Sequence, residues 1–264
     1  MSIKLSVGSK GRNKKVDVKV IQAALNLSKS AKFKLTKKLT IDGKNGGKTI
    51  AAIELFQKSI VGLSKPDGRV DPKGKTIREL KKQLKKGITE DAMLAIMASG
   101  SKTKIKKYMP SFKKSMTKYK INTALRQAHF LAQVGHESHS FYYTEEIASG
   151  AAYENRKDLG NTQKGDGKRF KGRGFLQLTG RTNYSKYGKY VGVDFLKKGK
   201  EKLIATTIKY AVDSSCWYWT VFKKLNKYAD KDNLKAVTRR VNGGYNGLAD
   251  RRDYLNRAKF FLVK

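Results

Sequence analysis

Glu137 closes an apolar helical stretch as part of His136-Glu137-Ser138, and Glu145 and Glu146 follow an aromatic run, Phe141-Tyr142-Tyr143. Two carboxylates held near each other, with a hydroxyl and an amide in the same cleft, suffice to break a glycosidic bond. One protonates the leaving oxygen and the other activates water. The amide and hydroxyl are offered by Gly172-Arg173-Gly174-Phe175-Leu176-Gln177-Leu178-Thr179-Gly180. That segment is expected to be a short extended run entered through glycines, with Gln177 and Thr179 on one face by strand alternation. Asn183 and Tyr184 beyond it add a hydrogen-bonding group and a stacking ring. Phe130, Val134 and Glu137 fall at i, i+4 and i+7, which places Glu137 on an apolar face at a helix C-terminal end. Burial and the helix dipole there both disfavour the charged carboxylate and favour an acid that keeps its proton. The competing reading, in so lysine-rich a chain, is a glutamate paired with a surface lysine. Spacing does not decide whether a loop carries Glu145 or Glu146 back over the helix end.

Other chemistries fit less well. His129, Gln133 and His136 share a helical face, but a metalloprotease H-E-x-x-H motif needs histidine where the chain has Ser140. No metal and no cofactor is expected, and His136 is expected to hydrogen-bond beside the carboxylates. The glycine run matches neither phosphate-binding pattern, G-x-x-x-x-G-K-[ST] or G-x-G-x-x-G. The single cysteine, Cys216, is expected to be a buried small apolar residue rather than a nucleophile.

Helices must position these groups. Asn122 is expected to cap a helix from Thr123 to His136, with Leu125, Ala128, Leu131, Ala132 and Gly135 as its buried stripe. Ile105, Met109, Phe112 and Met116 predict another, broken or kinked at Pro110. Residues 144–180 lack a period and read as a functional loop. Helical patterns resume at 204–218, 234–241 and 250–261. Ahead of these, three short stripes are separated by Asp42-Gly43 and Asp67-Gly68 turns: Val16 to Leu25, Ile50 to Ile60, and Ile77 to Leu84. Lys81-Lys82-Gln83-Leu84-Lys85-Lys86-Gly87 is expected to be a hinge, and Thr89 to cap the next helix. No repeat is apparent. The chain thus divides into a small three-helix domain over 1–86, a linker and first helix over 87–100, and a mainly α domain over 101–264.

The chain of 264 residues has 59 Lys+Arg against 21 Asp+Glu, a net charge of +38. The lysines are spread along the whole length, as on a charged surface of folded domains. Such a field draws the protein to polyanions: nucleic acid, anionic lipid or an acidic cell envelope. No helix-turn-helix, zinc-finger or RNA-binding signature accompanies it, so no specific nucleic acid is expected as a partner. The N-terminus has no apolar signal core and no segment is apolar over about 20 residues, the length a membrane span needs. Synthesis in a cytosol without a signal peptide is expected.

Two resemblances sharpen this. Residues 5–84 resemble the three-helix peptidoglycan-binding module of cell-wall hydrolases, through Asp17-Val18-Lys19-Val20-Ile21-Gln22-Ala23-Ala24-Leu25-Asn26, Asp42-Gly43, Lys48-Thr49-Ile50, Phe56-Gln57 and Asp67-Gly68-Arg69-Val70-Asp71. Residues 100–264 resemble glycoside hydrolase family 19, and within it the bacteriophage endolysins. The motifs are His136-Glu137-Ser138, Tyr153-Glu154-Asn155-Arg156, Gly165-Asp166-Gly167, Gly172-to-Arg181 and Asn242-Gly243-Gly244 with Ala249-Asp250-Arg251-Arg252, in family order. The resemblance implies a lysozyme-like, two-lobed, mainly α fold with a sugar cleft. It implies Glu137 as general acid, Glu146 as general base and Thr179 as the residue orienting water. It also implies substrate contacts at His136, Tyr153, Gln177, Asn183, Asn242 and Arg251. The implied activity is hydrolysis of the β-1,4 bonds of bacterial peptidoglycan by a monomer. It would be released from the host cytoplasm through a holin-type membrane hole to act on the wall in the periplasm. Chitin hydrolysis, lytic transglycosylation and a non-catalytic wall-binding role are the alternatives. A single cysteine departs from the disulfide-rich plant chitinases.

Overall fold

The computed structural model describes residues 2–263. The first unit is built on three helices, α1 (Lys15–Asn26), α2 (Gly47–Phe56) and α3 (Lys75–Gln83), with a π turn (Gln57–Val61) continuing α2. The stripes read from sequence supply its core: Val18, Val20, Ile21, Ala24, Ile53, Phe56 and Leu80 are buried. Two strands too short to leave a sequence pattern, β1 (Val7–Gly8) and β2 (Arg69–Val70), pair antiparallel with Val7 opposite Val70.

The structure reveals a repeat that the sequence reading did not find. Buried Gln22 donates to Asp42 Oδ1 at 3.0 Å, Lys44 O at 3.1 Å and Thr49 Oγ1 at 3.3 Å, and accepts from Gly43 N at 3.0 Å. Gln57 does the same with Asp67 Oδ1 at 2.6 Å, Arg69 O at 2.9 Å, Thr76 Oγ1 at 3.3 Å and Gly68 N at 2.9 Å. The sequence trace is Gly47-Lys48-Thr49-Ile50 against Gly74-Lys75-Thr76-Ile77. Unequal loops hide the period, because Gln and Asp lie 20 residues apart in one copy and 10 in the other.

The expected hinge is a pinned connector. Ser28 bridges Leu84, Lys85 N donates to Leu27 O, and Gly87 N donates to Phe261 O at the far end of the chain. The reason is that Leu84 is buried, which a free linker would not be.

The second unit follows as α4 (Glu90–Ile96), α5 (Lys102–Lys118), α6 (Ala124–Glu137), α7 (Asp166–Arg169), α8 (Arg181–Val191), α9 (Leu203–Thr206), α10 (Ile208–Trp217), α11 (Asn226–Ala229), α12 (Leu234–Asn242) and α13 (Leu248–Leu262). Thr89 caps α4 as expected, accepting from Ala92 N at 3.1 Å. Thr123, not Asn122, caps α6, accepting from Arg126 N at 3.2 Å. Helix α5 runs through Pro110 without ending. The buried residues Ile105, Tyr108, Phe112 and Met116 on either side hold it against the core, offsetting the one lost backbone bond. Phe112, Phe141 and Phe175 form an aromatic centre, with ring centroids 4.9 to 5.2 Å apart. Cys216 is buried, as expected, and burial pushes its thiol well up.

Helices α6 and α13 pack closely at Gly135, where a Cβ would stand 2.5 Å from the Tyr254 ring. The helix carrying Glu137 is thereby set by the last helix of the chain. Many carboxylates serve the fold. Asp17 takes the N–H groups of Lys4 and Leu5, Glu154 those of Gly165 and Gly167, and Asp166 the Arg181 guanidinium.

Candidate active site

Glu137 is the last residue of α6, and Ser138 turns the chain immediately after it. The Ser138 hydroxyl donates to Val134 O at 2.6 Å and accepts from Phe141 N at 2.9 Å, while its carbonyl takes the N–H groups of Tyr142 and Tyr143. His139, Ser140 and Phe141 all have positive φ, at 47°, 58° and 70°. Three left-handed residues in succession are costly for non-glycine side chains. They are held by the Phe141 ring in the aromatic centre and by Ser140 Oγ at 2.7 Å from Tyr254 OH. This turn reverses the chain and returns Glu145 and Glu146 to Glu137. Sequence reasoning had the serine within a motif but gave it no work.

A cleft of about 420 Å3 is lined by Glu137, Tyr143, Glu145, Glu146, Ile147, Ala148, Tyr153, Gln177 and Thr179. It brings together six of the residues singled out from the sequence: Glu137, Glu145, Glu146, Tyr153, Gln177 and Thr179. Tyr143, Ile147 and Ala148 were missed; Ile147 is 78% exposed, and nothing in its type or spacing marks it.

The adjacent glutamates differ in their partners. Glu145 is held by Arg173, with Nε at 3.0 Å and Nη2 at 2.9 Å, and by Lys171 Nζ at 3.5 Å. Among the described residues, Glu146 receives only neutral donors, the Tyr153 hydroxyl at 2.9 Å and Gly172 N at 3.1 Å. Its negative charge is therefore left uncompensated and facing the cleft. Burial, and then the Glu146 carboxylate, push the Tyr153 phenol up, so this donor keeps its proton.

Gln177 and Thr179 reach the cleft by a different backbone from the one expected. Arg173 and Leu178 pair as an antiparallel bridge around a tight turn over 174–177, with positive φ at Gly174 and Gln177. The glycine spacing that suggested an extended run is that of a hairpin turn. The Thr179 hydroxyl donates to Gln177 O at 2.8 Å. Asn183 does not line the cleft; its amide donates to Thr179 O at 2.7 Å and braces that residue from behind. Tyr184 is buried and cannot stack on a ligand, since its hydroxyl donates to Lys171 O at 2.6 Å.

Arg251 is 0% exposed. Its guanidinium donates to Glu137 Oε1 at 2.5 Å, to the Gln133 side chain, and to Asn246 O at 3.2 Å. It holds Glu137 and is out of reach of a ligand. Glu137 thus lies against a buried guanidinium, where the sequence suggests a largely apolar face and the competing reading is a surface lysine. His136 turns away to Asp250, 2.7 Å from Nδ1, and that bond is the main influence holding the Asp250 carboxyl down. His129 is buried against Asp232 at 2.8 Å, so the two histidines of α6 go to separate aspartates. Asn242 is an exposed residue at the end of α12, away from the cleft lining.

Comparison with known proteins bears on the family and fold of the chain. A family model described as chitinase class I matches residues 90–237. A glycosyl hydrolase family 19 domain-containing protein of Haemophilus influenzae is 30% identical over 158 residues, covering 48% of this chain and 75% of that protein. An endochitinase of Arabidopsis thaliana is 37% identical over 131 residues, 49% of this chain and 44% of the plant protein, so the chain spans under half of that relative. Among solved structures, a bacterial family 19 chitinase superposes with a TM-score of 0.52 at 21% identity, covering 67% of this chain and 96% of that one. A class IV chitinase from Zea mays gives 0.52 at 21% identity over 66% of this chain and 90% of the other, a likeness of fold.

Proposed function

The chain belongs to glycoside hydrolase family 19, and on that premise we propose that it cleaves the β-1,4 glycan strands of bacterial peptidoglycan with Glu137 as general acid and Glu146 as general base. The observation that carries this reading is the cleft that Glu137 and Glu146 line together, with Glu146 held among the described residues by neutral donors and Glu145 paired with Arg173. Glu137 gives its proton to the leaving oxygen as the bond from that oxygen to the anomeric carbon breaks. Water adds to that carbon and loses a proton to Glu146. The Thr179 hydroxyl spends its own proton on Gln177 O, which leaves its lone pairs to accept from the same water. Tyr153 fixes the Glu146 carboxylate, and Arg251 fixes Glu137.

Peptidoglycan is favoured over other glycans by two features: the likeness of the first unit to wall-binding modules, and a net charge of +38 facing an anionic wall. In this reading the protein is a monomeric bacteriophage endolysin made in the host cytoplasm. It reaches the wall through a holin-type membrane hole, and the first unit holds the murein. The second reading, chitin hydrolysis, is favoured by the plant relatives, which are endochitinases by name.

Mass spectrometry of digested murein and of chitin oligomers tests both. Murein fragments with water-added reducing ends are expected, and Glu137→Gln should abolish them while leaving the protein bound to sedimented murein. Anhydro ends would overturn the two-carboxylate mechanism, and release from chitin alone would overturn the substrate.

A further inference from the structure

Two lysines of the first unit have no part in the site described above. Lys19 on α1 is buried, 7% exposed, and its ammonium donates across the seam between the units to Ala98 O at 2.7 Å. Lys86, at the end of the connector, donates to Phe260 O at 2.6 Å, beside the Gly87 N–H on Phe261 O. Both ammonium groups thus bond a main-chain carbonyl of the second unit. Burial is the main influence pushing both amines down, Lys86 to about 8. An apolar side chain would fill either place without the desolvation cost of a charge.

The two carbonyls lie on routes to Glu137. Ala98 belongs to the turn after α4, and a Cβ on Gly100 of that turn would stand 2.6 Å from Ser140 O. The turn therefore lies against the left-handed run just beyond the acid. Phe260 belongs to α13, which also supplies Arg251 to Glu137, Asp250 to His136 and Tyr254 to Ser140. Nearer the middle of that helix Lys4 pairs with Asp253 at 2.6 Å.

We propose that Lys19 and Lys86 are positioning residues: by clamping the turn after α4 and the end of α13, they hold the α6 exit and Arg251 in the places that aim Glu137. Through these two lysines the first unit helps to position the site, in addition to any hold other parts of it have on the wall. The proposal rests on the assignment of Glu137 as the acid.

The test uses the full chain with Lys19→Met, Lys86→Met and both together, a side chain of similar length without the donor. On a short soluble murein glycan oligomer of alternating N-acetylglucosamine and N-acetylmuramic acid, the double variant should lose about tenfold or more in kcat with KM unchanged, since displacement of about 1 Å can cost that much. Amide exchange over 138–141 should quicken. Leu55→Ala, on an exposed part of the first unit, should change neither. Lys19→Arg, which keeps a donor, should recover kcat and serves if the methionine variants fold poorly. Unchanged kcat and unchanged exchange in the folded double variant would overturn the proposal, as would a lowered Tm with kcat intact. Should the wild type cleave neither oligomer nor murein, the reading of function fails instead, and exchange over 138–141 still decides this one.

Discussion

At the residue scale the site turns on which of two neighbouring glutamates carries a free charge. Arg173 and Lys171 hold Glu145, while Glu146 has a phenol and a backbone N–H. Glu146→Gln should therefore reduce kcat by about 100-fold or more, the scale of a lost general base. Glu145→Gln should keep activity within about tenfold but lower Tm, because Arg173, with its side chain 4% exposed, loses the carboxylate that pairs with it. Loss of activity in Glu145→Gln with Glu146→Gln unaffected would reverse the assignment. The place of Glu137 in the cleft was legible from helical phase and motif. Arg251 was legible as important but not in kind: sequence offered a ligand contact, and only the packing of α13 on α6 turns it into the holder of Glu137. Ile147 was not legible, because an exposed isoleucine in an aperiodic loop carries no pattern.

At the element scale the α6–α13 contact sets Glu137. Gly135→Ala should destabilise the fold by about 1–3 kcal/mol through overpacking against Tyr254, read as a lower Tm in thermal unfolding; an unchanged Tm would mean the helices separate freely. The same helix holds His129, whose folded pKa is lowered chiefly by burial, against the raising influence of Asp232. The unfolded chain then binds the proton more readily, so this contribution to stability is fully present above the ordinary value of about 6.5 and is lost as pH falls below it. Tm should decline from pH 7.5 to pH 5, and less so in His129→Gln; equal slopes would remove His129 as the cause. Helix existence was read well from apolar period, since burial imposes it. The hairpin at 174–177, the left-handed run at 139–141 and the two short strands were not, because each is fixed by hydrogen bonds between distant residues rather than by period.

At the scale of the whole molecule, carboxylates are few and largely taken up by internal bonds, which leaves the lysine excess facing outward. Binding and lysis of murein should weaken steeply as salt rises from about 20 to 300 mM, as screening shortens the reach of that field. A salt-independent rate would detach the charge from encounter. The first unit bears on a different matter. Its two glutamine-centred knots share Gln, Asp-Gly and Thr and the same pattern of bonds, while loop lengths and most other residues differ. The chain therefore carries a two-member alignment of itself. What survives in both copies is what this small fold demands, and what differs between them is free for binding a ligand or for meeting the catalytic half.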